Sequence, residues 1–165
     1  TYALLVWLEQ TALGIWVRES PSMFAFPGIL TFHAIGMAFL VGTTAAFSLR
    51  VIGFAPRVPV DAMLRFAPIA WFGLIVNTIS GGMLLMAYPA KALTNPVFYL
   101  KLVCIALALM VVRALGKRIL NPEVSNRTGW NLNRGLATAT LGLWAVSITA
   151  GRLLAYTHSR LMAGD

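Results

Sequence analysis

Acidic residues are scarce in this chain, with five Asp and Glu among 165 residues against thirteen Lys and Arg. The five are Glu9, Glu19, Asp61, Glu123 and Asp165, and none falls well inside an apolar run. That scarcity removes the carboxylate relay of a proton pump and the paired carboxylates of general acid and base catalysis. It also leaves Ser-His-Asp chemistry without good candidates, and no P-loop sequence is present. Cysteine is almost absent too. The single Cys104 lies in the apolar run Leu102-Val103-Cys104-Ile105, where a lone thiol reads as a small hydrophobe. Neither a disulfide framework nor a CxxCH haem attachment is possible. Histidine occurs twice, as His33 and His158.

Apolar sequence is plentiful by contrast. Hydrophobic residues make up 59% of the chain and the mean hydropathy is +0.79, too apolar for a soluble domain of this length. Four spans of about 20 residues with short connections use most of the chain and leave no room for a second domain. The fold expected is all-α: an integral membrane four-helix bundle, residues 1–165 as one domain, preceded by a short interfacial amphipathic helix over 2–17. In that first segment Leu4, Trp7, Leu8 and Ala12 share a helical face, while Glu9, Gln10 and Thr11 interrupt any lipid-spanning face. Trp7 and Trp16 favour the headgroup region over a tilted span. The run has no basic start, so no cleavable signal peptide is expected.

The spans are placed at about 27–49, 62–88, 97–115 and 136–156. Pro27 suits a first helical turn, Pro68 is expected to kink the second span, and Asn95-Pro96 opens the third. Gly36, Ala38, Gly42 and Ala45, with Gly81 and Gly82, let helix backbones approach closely in lipid. The formal charge of +8 comes from residues between apolar runs, so it is read as a topology signal and not as a nucleic-acid surface. Arg50, Arg57, Arg65, Arg113, Lys117, Arg118, Arg127 and Arg134 fall on the side reached after spans one and three. That side is expected to be cytoplasmic, which puts both termini in the periplasm of a bacterial inner membrane.

Chemistry is expected in the opposite, outer half. His33 sits about 9 Å below the boundary of span one, and an ionisable group there suggests a ligand or redox role. The alternative is a neutral imidazole bonded to Ser or Thr on another helix. His158 follows span four on the same side, so the pair is placed to ligate one b-type haem; it also reads as an interfacial surface residue. Lys101 and Arg152 are cations in need of an anion or a route to the interface: Lys101 can snorkel or hold a haem propionate, and for the deeper Arg152 a propionate or Glu9 or Glu19 would serve. Met37, Met83 and Met86 are soft-ligand candidates, although methionines in such a chain are more often packing. Asn77, Thr78 and Ser80 read as helix-to-helix bonds or the lining of a small polar cavity, as do Thr138, Thr140, Ser147 and Thr149.

Several short motifs carry a likeness. Trp7-Leu8-Glu9, Arg18-Glu19-Ser20, His33-x-x-Gly36, Leu49-Arg50-x-x-Gly53 and Asn95-Pro96-x-Phe98-x-x-Lys101-Leu102 resemble a bacterial family of small four-span membrane proteins of uncharacterised function, over nearly the whole chain. The layout is more distantly similar to copper-resistance protein D and to the membrane-bound protoporphyrinogen oxidase that is distinct from the flavin enzymes. Those families have a histidine in an early span and a lysine opening a later one, and the oxidase family binds b-type haem. The resemblance carries over to His33 and Lys101 alone and transfers no reaction. Together these readings lead to an expected haem-b electron-transfer protein, an oxidoreductase if it is an enzyme, with a periplasmic redox partner or quinone. A copper or small-solute transporter and an accessory subunit of a larger complex are the alternatives, and a homo-oligomer is compatible with all three.

Overall fold

The computed structural model describes residues 7, 10–120 and 127–161, and within these all side chains except those of residues 61, 127–128 and 155–161. Every regular element among the described residues is helical: α1 Ala12–Glu19, α2 Phe26–Ile52, α3 Val60–Leu64, α4 Ala67–Ala87, α5 Pro89–Leu93, α6 Pro96–Ile119 and α7 Arg127–Leu161. Four segments, Phe26–Ile52, Ala62–Ala87, Pro96–Ile119 and Gly129–Leu154, are long and apolar enough to cross a membrane. Between 11 and 33% of each apolar window is buried inside the chain, so most of each span presents apolar side chains outward, as lipid requires. The chain is a multi-pass membrane protein built as a four-helix bundle behind a short helix.

Local sequence sets the helix ends. The Thr11 hydroxyl accepts from the Gly14 N–H at the start of α1, and Asn95 Oδ1 accepts from the Val97 N–H at the start of α6. Pro27, Pro68 and Pro96 all stand in first turns, where the missing N–H leaves no intrahelical bond unmade. The kink expected at Pro68 is therefore a break before it, at Arg65 and Phe66, which separates α3 from α4. The first, third and fourth transmembrane helices run past the expected ends because helix continues through polar flanks such as Lys117-Arg118, whereas α4 stays within the expected second span. Of the helix expected over 2–17, residues 1–6 and 8–9 lie outside the described residues, and α1 covers 12–19.

The helices pair unequally. α2 packs along α4, α6 along α7, and α2 also against α7, whereas α4 and α6 do not approach closely. The α2–α4 contact is close because two glycines face each other. A Cβ on Gly73 would stand 2.7 Å from the Gly36 carbonyl oxygen and from the Leu40 nitrogen. Three core layers follow the bundle axis. Val17, Ile29 and Ala87 tie α1 to one end; Leu40, Ala108 and Trp144 fill the middle; Phe47, Val51, Leu115 and Ala137 close the other end. The unfilled α4–α6 side becomes a cleft along the bundle, and it positions the site.

Candidate functional site

His33 lies about two turns into α2, and Lys101 just over one turn into α6. Both helices start at the same end of the bundle, so the two side chains meet. Lys101 Nζ is 3.5 Å from His33 Nε2. On its other nitrogen the imidazole reaches α4, with Nδ1 3.0 Å from Ser80 Oγ. The Ser80 hydroxyl itself donates to the Val76 carbonyl at 2.6 Å, so its oxygen is left to accept from the ring. The network thus defines a tautomer: Nδ1–H donates to Ser80, and the Nε2 lone pair faces Lys101.

Two further contacts hold this geometry. Asn77, almost fully buried on α4, donates from Nδ2 to the His33 backbone carbonyl at 2.9 Å. Gly81 leaves the ring its space, since a Cβ there would lie 3.2 Å from the imidazole Cε1. On the far side Gly151 of α7 makes room for the Lys101 stem, with Nζ 3.6 Å from where its Cβ would be. A side chain at 81 would press on the imidazole, whereas a Cβ at 151 would meet the Lys101 amine at ordinary contact distance.

His33 and Lys101 line a cavity of about 470 Å³ between α2, α4, α6 and the end of α7. That volume lies in the range of sites for small molecules and cofactors. Its walls are mainly apolar, with Leu30, Leu84, Ile105 and Leu154 among them and the rings of Phe26, Tyr88 and Phe98 toward the α5 end. Lys91, from α5, is the second charged residue of the lining, and no acidic side chain lines the cavity among the described residues. The arrangement offers one imidazole lone pair and two amino groups within an apolar wall. It suits an amphipathic molecule with an electrophilic or metal centre and anionic or acceptor oxygens.

The candidate residues separate in the fold. His33 and Lys101 are brought together. Arg152 is exposed on α7, about 100° around the helix from Gly151, and does not line the cavity; Gly151 and Leu154 do. Arg152 is thus not brought together with His33 and Lys101 in the lining of this cavity. His158 is in helix, seven residues and about 10 Å beyond Gly151 along the axis, and its side chain lies outside those described. Because α7 continues unbroken through Leu161, Arg152 and His158 do not share a face. Met37 and Met83 pack with the middle and α1-end core layers and do not line the cavity. No cluster of three or more His, Cys, Asp or Glu exists among the described residues.

Lys91 is not among the candidates that the sequence singles out, and Ser80 is there only one of several hydroxyls. The proximity of Lys91 to Asn95-Pro96, which returns the chain into α6, was the signal available for it. Comparison with family models, with curated proteins and with solved structures finds no match for this chain.

Proposed function

We propose that this protein is a haem-b-binding electron-transfer protein of the bacterial inner membrane, with its site in the periplasmic half of the bundle. One observation carries the reading: an imidazole whose Nδ1–H is held by Ser80 and whose Nε2 is turned toward a largely apolar cavity. Imidazole nitrogen is a standard axial ligand for haem iron, and such ligands usually donate their other ring N–H to a neighbouring acceptor. Lys91 and Lys101 are the residues for the propionates, since each brings an amino group to a lining without acids. His158 is the candidate second ligand. Lys101 has to leave Nε2 for iron to bind there, and its unbranched stem beside Gly151 permits that movement.

Bound haem would supply one-electron oxidation and reduction at iron. The chain's own part is to hold the ring orientation through Ser80 and Asn77, to neutralise the propionates, and to keep water from the site with leucine and phenylalanine walls. The excess of Arg and Lys at the other end of the bundle supports the orientation. The lateral opening between α4 and α6 favours a lipid-soluble partner such as a quinone. A soft-metal transporter finds less support, because Met37 and Met83 are committed to core packing.

Titration of the purified protein with haemin tests the proposal. One haem per chain with a Soret maximum distinct from free haemin is expected, abolished by His33→Ala and weakened by Lys91→Gln with Lys101→Gln. Binding that is indifferent to His33→Ala, or no stoichiometric binding, would overturn it.

A further inference from the structure

The α4–α6 cleft has a second half. Beyond Leu40 and Leu74, which border both halves, it widens into another cavity of about 320 Å³ at the end where α2 and α6 terminate. Phe47, Ala70, Leu109 and Val112 give it apolar walls. Its two hydroxyls are already used inside α2, Thr43 donating to the Phe39 carbonyl and Thr44 to that of Leu40, both at 2.7 Å. Their oxygens remain able to accept, but their protons are taken and the rest of the interior is apolar.

The mouth differs from the interior. Arg113 and Lys117, one turn apart on α6, are its charged residues, and both are exposed. The Arg113 guanidinium carbon stands 5.5 Å from the centre of the Trp71 ring, which fixes it over the rim. No acidic side chain lines the cavity among the described residues. From Leu109 to Lys117 the slot extends about 12 Å along α6. An apolar slot that opens sideways from a membrane bundle and ends at two cations matches the shape and charge of one kind of molecule.

We propose that this half of the cleft binds a bilayer phospholipid with an anionic headgroup, an acyl chain lying between α4 and α6 and the phosphate meeting Arg113 and Lys117. Basic side chains at the ends of membrane helices attract anionic lipid, and Arg pairs with phosphate through two parallel hydrogen bonds. The site is separate from His33 and stands whether or not haem binds there.

Trp71 reports on occupancy directly, because its ring lines the slot. The protein is placed in bilayers containing phosphatidylglycerol or phosphatidylcholine with brominated acyl chains, and the Trp71 signal is taken as the difference from Trp71→Phe. Two cations at the headgroup predict a preference of up to roughly thirtyfold for the phosphatidylglycerol in Trp71 quenching. The double variant Arg113→Gln with Lys117→Gln should abolish the preference while both lipids still quench. Ala70→Leu, which fills the slot and keeps both cations, should reduce quenching by either lipid. Equal quenching by the two lipids in the unsubstituted protein would overturn the proposal. So would a preference that survives the double variant, quenching unchanged in Ala70→Leu, or a dimer that shields Trp71 from both lipids.

Discussion

The two ends of the bundle use the same basic residue types differently. At the end where α2 terminates, three arginines bind the scaffold, while Arg113 and Lys117 stand at the mouth of the second cavity. Arg134 donates from Nε and Nη2 to the Ile52 carbonyl at 2.8 and 2.5 Å, Arg50 reaches the carbonyls of Val58 and Pro56, and Arg118 donates to Asn133 Oδ1 at 3.1 Å. The Ile52 carbonyl is an orphan at the end of α2, those of Pro56 and Val58 belong to the turn that follows, and Asn133 is a buried amide on α7. At the other end Lys91 and Lys101 line a cavity, and Lys101 faces an imidazole. A cation whose donors are taken up by carbonyls is structural; one directed at a lone pair in an apolar cavity is available to a ligand.

That contrast can be broken by substitution. The largest effect is expected at the contact on which the His33 end depends. Gly73→Ala would force α2 and α4 apart and should cost about 1–3 kcal/mol in reversible unfolding, with loss of the His33 to Ser80 alignment. Ser80→Ala removes the acceptor for Nδ1–H without adding bulk. It should weaken haem affinity by roughly 10–100-fold in the haemin titration and leave stability nearly unchanged. Arg134→Gln should do the reverse, costing about 1 kcal/mol of stability with an unaltered haem titration. The smallest change is expected for Ser147→Ala in the middle of α7. Ser147 Oγ is fully buried with no partner among the described residues, so exchanging the hydroxyl for a hydrogen is expected to leave the unfolding midpoint unchanged or slightly raised.

Much of this architecture is legible in the sequence, because a bilayer admits few solutions. Runs of about 20 apolar residues define the spans, and an up-and-down path brings the start of the first, the end of the second and the start of the third to one end. His33 and Lys101 could thus be assigned to the same half from their positions alone. Which hydroxyl His33 meets could not, because it depends on the rotation of α4 about its axis, and the facing Gly36 and Gly73 set that rotation. Arg152 shows the same limit. Its depth in α7 was readable, but the direction of its side chain follows from Gly151 and Leu154 taking the cavity face. Pro68 was read as a kink because the second span was taken as continuous, whereas the chain breaks at Arg65 and Phe66 and begins a new helix.

The central claim, that the His33 end holds a haem, is tested most directly by the dithionite-reduced minus oxidised absorption spectrum of the protein purified from haem-sufficient cells. A b-type α band and Soret difference are predicted, present in Arg134→Gln and absent in His33→Ala. A colourless preparation, or a spectrum that persists in His33→Ala, would contradict it.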